Sequence, residues 1–120
     1  MSDFKDLIAY KKAKELANAV FECSKKFPPE EKYSLTDQVR RSSRSVCACI
    51  AESYRKRKYP AHFISKLSDA DMENAETGVW LDFAMDCKYI TDTEYAFLGN
   101  LNGEVGKLLG YMMSHPDKFL

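Results

Sequence analysis

The sequence predicts an all-α protein, one domain over residues 1–120 folded as an antiparallel up-down four-helix bundle. Three observations carry this. Apolar residues recur at three- and four-residue steps in four segments, and no segment sustains the two-residue alternation of a strand. The four prolines fall between those segments, at Pro28-Pro29, Pro60 and Pro116. Connections that short favour antiparallel neighbours. The third segment carries large apolar residues on two opposite sides, more than a lone bundle can bury, so the sequence also predicts self-association.

Helix 1 is read over about residues 4–26, with Leu7, Tyr10, Ala13, Leu16, Ala17 and Val20 as its stripe. It stops at Phe27-Pro28-Pro29 because proline cannot continue a helix and restricts the residue before it. Helix 2 is read over 34–58. Ser34 is its expected N-cap, with Asp37 three residues on in a variant of the capping box. Leu35, Val39, Val46, Ile50 and Ser53 point toward a core. Helix 3, over 60–88, opens on Pro60, which suits a first turn. Phe63, Leu67, Ala70, Leu81 and Ala84 form its core face, whereas Met72, Val79, Trp80 and Phe83 point the opposite way. Those four are the expected oligomer interface, the alternative being a cover of tail residues such as Phe119 and Leu120. Helix 4, over 92–115, starts in a full capping box, Thr91-Asp92-Thr93-Glu94. Gly99, Gly103, Gly106 and Gly110 each weaken it by roughly 1 kcal/mol relative to alanine. Their spacing predicts close approach of a neighbouring helix.

The chain is formally neutral, yet residues 38–58 hold seven of its eighteen bases and one of its eighteen acids, Glu52. The run from Ser68 to Cys87 holds six acids and no base. On a helical wheel Arg40, Arg44, Arg55 and Lys58 fall within an arc of about 60° away from the core. Arg41 lies beside them and Cys47, Ala48 and Ala51 occupy the middle. Two readings follow. In one, Arg40, Arg41, Arg44, Arg55, Lys56, Arg57 and Lys58 contact phosphates of RNA or DNA, with Tyr54 and Tyr59 stacking on bases. In the other, Arg40, Arg41 and Arg44 pair with the acidic helix 3, within or between copies, and the remaining bases complement the dipole at the end of helix 2.

Catalytic chemistry finds little support. Neither His62 nor His115 has a glutamate three residues earlier, as a bundle metal site requires, and Cys47 and Cys49 diverge on their helix. Ser42, Ser43, Ser45 and Ser53 look like small packing residues. Glu73 and Glu76 share a face with His62 and Asp69, but read as a solvated or ion-paired face. Glu52 reads as a local partner of Arg55 and Lys56. No phosphate loop or dinucleotide motif occurs. The expectation is a protein that is not an enzyme and has no cofactor or metal. No apolar run approaches the about 20 residues of a membrane span. The cytoplasm is expected, with four cysteines as reduced thiols.

Phe27-Pro28, Glu31, Tyr33, Leu35, Gln38, Arg40-Arg41, Ser45-Val46 and Ile50-Ala51-Glu52, followed by Phe63, Glu76, Trp80-Leu81, Ala84 and Tyr89-Ile90, form an ordered set. This set resembles the four-helix-bundle family named after proteins encoded in intervening sequences of bacterial 23S rRNA genes, which includes the accessory variability protein of diversity-generating retroelements. The resemblance departs at Cys49, Ser53 and Lys88, where many members have Asn, Gly and Gly. It implies a protomer assembled in a homo-oligomeric ring, commonly a pentamer, without catalytic residues. Its best-understood relatives act with RNA and reverse transcriptase, so the implied partners are other copies of the chain, RNA or DNA, and a protein such as a reverse transcriptase. Of the basic residues, only Arg40 and Arg41 transfer by motif position.

Overall fold

The computed structural model describes residues 3–120. A 3-10 turn, Phe4–Asp6, precedes α1 (Ile8–Ser24). A second turn, Pro29–Glu31, leads into α2 (Leu35–Arg55), then α3 (Pro60–Asp86), α4 (Asp92–Ser114) and a last 3-10 turn, Pro116–Lys118. The described residues include no strand. Helix α1 packs on α2 and α4, and α3 packs on the same two, so α1 and α3 are diagonal. Bonds between helices fix the directions. Lys12 and Lys26 reach Glu104 and Glu94; Ser42 and Glu52 meet Thr77 and Lys66; Asn74 and Asp82 meet Asn102 and Tyr95. In each case the numbers rise on one helix as they fall on the other. All neighbours are antiparallel.

Several boundaries differ from the periodicity. Leu7 is extended, with φ −66° and ψ 132°, which separates the Phe4–Asp6 turn from α1. Ser34 makes no capping bond with its side chain, and the expected capping box with Asp37 does not form. Glu31 caps α2 instead. One of its oxygens accepts from the Leu35 N–H at 3.3 Å and the Ser34 hydroxyl at 2.6 Å, and the other accepts from the Tyr89 hydroxyl at 2.9 Å. The Ser34 bond, then the Tyr89 bond, lowers the Glu31 carboxyl, while Tyr89 is pushed up to about 12 by donating to it. The second box forms as read. Thr91 Oγ1 accepts from the Glu94 N–H at 3.1 Å, and Glu94 accepts from the Thr91 N–H at 2.8 Å. Lys26 also bonds Glu94, and chiefly for that reason its carboxyl falls to about 2.

Helix α3 closes in a Schellman motif. The Tyr89 N–H donates to Ala84 O and the Lys88 N–H to Met85 O, both at 2.9 Å, with Lys88 left-handed at φ 61°. A side chain is strained there and glycine is not. Lys88→Gly is therefore expected to stabilise the fold by about 1 kcal/mol, raising the melting temperature by roughly 4 °C. An unchanged or lower melting temperature would show that the Lys88 backbone carries no strain.

The core lies in two halves. Leu7, Val46, Ile50, Phe63, Leu67, Val105 and Leu109 fill one, and Leu16, Val20, Leu35, Val39, Leu81, Leu98 and Leu101 fill the other. Between them runs a polar waist of Ser42, Ser43, Asn74 and Thr77, each at most 5% exposed. Its groups are paired, as burial requires. Ser42 and Thr77 hydroxyls lie 2.8 Å apart. Asn74 donates to Asn102 O at 2.9 Å, and Asn102 donates to Asn74 O and Oδ1 at 2.8 and 3.0 Å. Close approach of α3 and α4 is needed here. A Cβ on Gly78 would sit 2.8 Å from Asn102 Oδ1, and one on Gly106 would sit 3.4 Å from Asn74 Nδ2. The close contact expected of all four α4 glycines is thus confined to Gly106. Among the described residues, outside the local helix backbone, nothing lies within 4 Å of a Cβ at Gly99, Gly103 or Gly110.

Candidate nucleic-acid interface

Helix α2 sets the positions of the seven basic candidates. Arg40, Arg41 and Arg44 lie near its start, Arg55 in its last turn, and Lys56, Arg57 and Lys58 in the connection to α3. Fifteen residues of helix separate Arg40 from Arg55 by about 22 Å. They form two clusters.

The first cluster divides. Arg41 is tied to α3: its guanidinium meets Glu73 at 3.2 Å and Glu76 at 2.8 Å, and its Nε donates to Gln38 at 3.3 Å. The Glu76 bond leads in raising its pKa. Arg40 and Arg44 do not reach α3. They turn to α1, where their guanidiniums lie 4.6 and 5.3 Å from the Phe21 ring centroid. Arg40 Nε also donates to Ser24 Oγ at 2.7 Å. Arg40 is therefore half-buried on α1 and not remote from the packing, as the helical wheel had it, whereas Arg44 is exposed. Neither has an ion-pair partner among the described residues.

At the other end, Arg57 lies 3.6 Å from the Tyr54 ring centroid and donates to Tyr54 O at 2.9 Å. Tyr54 is buried at 6% exposure, which removes it as a stacking surface, while Tyr59 is 58% exposed. Lys56 approaches the Tyr59 ring at 6.0 Å. Arg55, Arg57 and Lys58 line an open groove of about 500 Å³ with Asp3, Phe4 and Lys5.

Helix-by-helix reading missed the contribution of α1. Lys5, Lys11 and Lys14 line an adjoining groove with Tyr10, Glu15 and Asn18. Lys14 lies near Cys47 of α2: burial pushes that thiol up to about 11 and Lys14 opposes the rise. The α1 lysines thus occupy the interval between the two α2 clusters. The Lys11-Lys12-x-Lys14 run was a visible signal, but only the pairing of α1 with α2 places it. Lys12 alone turns away, to Glu15 and Glu104.

The diagonal side is different in kind. On α3, Met72 is 69% exposed, Val79 47% and Phe83 51%. Trp80 is half-buried on the second core half, its ring centroid 6.2 Å from that of Phe83, and its buried indole N–H has no acceptor among the described residues. The stripe borders an apolar groove lined by Leu35, Gln38, Trp80, Phe83 and Cys87. Phe119 packs elsewhere, edge-on to Tyr111 beside Leu7 and Tyr54, so the tail does not cover the stripe. Glu52 pairs with Lys66 of α3 at 3.5 Å, and not with its neighbours Arg55 and Lys56.

No catalytic constellation gathers among the described residues. Burial raises the Cys23, Cys47 and Cys49 thiols, away from the nucleophilic thiolate. His115 stacks on Tyr111, and His62 lies beside Tyr59. No group of three potential metal ligands occurs among the described residues. Among the described residues, no helix is long and apolar enough to cross a membrane.

Residues 5–111 match the family model described as 23S rRNA-intervening sequence protein. Among solved structures, a Bacteroides thetaiotaomicron protein of unknown function from the S23 ribosomal protein family is 31% identical. It aligns with a TM-score of 0.80 over 92% of this chain and 98% of its own. No curated protein matches.

Proposed function

The chain belongs to the 23S rRNA-intervening sequence protein family, and from that premise we propose that it is a non-enzymatic accessory protein. It assembles with copies of itself through the α3 stripe, as a pentameric ring, and holds RNA or DNA along the α1/α2 face. It works in the cytoplasm, where its thiols stay reduced. The observation that carries this reading is the placement of unpaired bases. Lys5, Lys11, Lys14, Arg40, Arg44, Arg55 and Lys58 have no ion pair among the described residues and share the α1/α2 side. Lys88, Lys107 and Lys118 are also without an ion pair among the described residues and lie off α1 and α2, but a neutral protein with most of its free cations on one face presents that face to a polyanion, and a ring repeats it in every copy.

Salt dependence tests it. A labelled oligonucleotide should bind with an affinity that falls steeply as salt rises. Lys14→Ala, Arg44→Ala, Arg55→Ala and Lys58→Ala combined should make the log–log salt slope shallower by about 3 to 4, since each lost phosphate contact removes roughly 0.9. All four side chains are on the surface, so the bundle should keep its helix content. Absent or salt-insensitive binding would overturn the reading. A second reading, a scaffold for a protein partner without nucleic-acid affinity, is favoured by the pairing of Arg41 with Glu73 and Glu76. It predicts assembly with no oligonucleotide retained at low salt.

A further inference from the structure

Tyr33 is 84% exposed, more than any other large hydrophobic or aromatic side chain among the described residues. It stands over a groove of about 410 Å³ lined by Lys32, Thr36, Asp37, Arg40, Arg41 and Arg44. Neither the core nor the apolar stripe on α3 accounts for an aromatic ring here. We propose that this groove takes a single-stranded polynucleotide, with an unpaired base stacked on the Tyr33 ring and the neighbouring phosphates on Lys32, Arg40 and Arg44. The proposal rests on the nucleic-acid reading above and names the strand type.

Three features carry it. The ring has a face open for stacking: Lys32 Nζ lies 5.3 Å from its centroid, and no other ring among the described residues packs on it. Base–aromatic stacking tolerates any base but needs an open base face, which a duplex offers only at its ends. The cations are also placed. Arg40 and Arg44 stand one helical turn apart, about 6 Å between Cβ atoms, and present two guanidiniums along a strand. Phe21 beneath both and Ser24 against Arg40 hold them in position. Arg41 does not take part, being held by Glu73 and Glu76, and Asp37 is the one acid in the lining. Finally, the backbone under Tyr33 is already tied down. The Lys32 N–H donates to Pro29 O at 3.1 Å, the Ser34 N–H to Glu31 O at 3.0 Å, and Glu31 is held by Tyr89. A platform that rigid loses little freedom on binding.

The experiment compares four labelled ligands of equal length at one low salt concentration: oligo-dT, oligo-rU, an abasic deoxyribose-phosphate strand and a blunt duplex. The protein should bind oligo-dT or oligo-rU about tenfold more tightly than the abasic strand. The tighter of the two identifies DNA or RNA as the ligand. Tyr33→Ala should erase the preference over the abasic strand and Tyr33→Trp should keep it. Arg44→Ala should weaken base-bearing and abasic strands alike. Equal affinity for base-bearing and abasic strands, preference for the duplex, or indifference to Tyr33→Ala would overturn the single-strand proposal while leaving the basic face standing. Failure to bind any of the four would overturn both.

Discussion

Val79→Glu combined with Phe83→Glu is expected to leave a folded chain that no longer assembles. Both side chains are about half exposed in the protomer and pack little against its own core, so the substitution removes few internal contacts. What it removes is the surface that the proposed assembly would offer to the next copy. A half-exposed phenylalanine still presents on the order of 100 Å², worth about 2 kcal/mol at roughly 25 cal/mol per Å² when an interface covers it. The valine adds about 1 kcal/mol, and two buried carboxylates would cost more still. Together these raise the dissociation constant about a thousandfold or more. Sedimentation should show the parent protein near five times its 13.8 kDa chain mass and the variant at one. Trp80, the one tryptophan of the chain, adds a second readout, because its half-buried ring lies beside Phe83. Its emission should shift to the red in the variant while the far-ultraviolet signal of the helices stays constant. A parent protein that sediments as a single chain near 100 μM would sink the role assigned to the α3 stripe.

What could be read from the sequence, and what could not, follows one physical line. Periodicity reports which side of a helix is apolar, and it did so for Val39, Val46 and Ile50 on α2 and for Phe63, Leu67, Ala70, Leu81 and Ala84 on α3, all of them buried. It does not report what a polar side chain meets on another helix. Ser34 and Asp37 look like a cap locally, but Glu31 reaches the α2 amide because the Pro29–Glu31 turn and Tyr89 hold it there. Arg40, Arg41 and Arg44 sit together in sequence, yet α1 takes the first and third and α3 takes the second. The basic face was half legible for the same reason. Its α2 residues form a run, whereas Lys5, Lys11 and Lys14 join them only through the antiparallel pairing of α1 and α2.

The glycines provide the sharpest test of the packing, because two of them should respond to alanine with opposite signs. Gly78→Ala puts a methyl group 2.8 Å from Asn102 Oδ1. That amide is not free to swing away, since its nitrogen holds Asn74 O and Oδ1 while Asn74 reaches back to Asn102 O. Moving it breaks bonds worth about 1 kcal/mol each net, and strands a buried asparagine in a core whose other layers are apolar. The expected loss is about 3 kcal/mol, or roughly 10 °C in melting temperature. Asn74→Ala should cost a similar amount by the same route. Because the two substitutions break one clasp, their combination should cost much less than the sum. Gly99→Ala meets nothing within 4 Å in the protomer and sits on an exposed helical surface, so it should stabilise by up to about 1 kcal/mol through helix propensity alone. The clasp also fixes register. Sliding α3 by one turn along α4 would carry Asn74 away from Asn102 to the level of Leu98 or Gly106, with no side-chain amide to pair it, an arrangement that costs several kcal/mol. Additive losses in the Gly78→Ala, Asn74→Ala pair would mean that the two act separately and that the polar waist does not hold α3 and α4 in step.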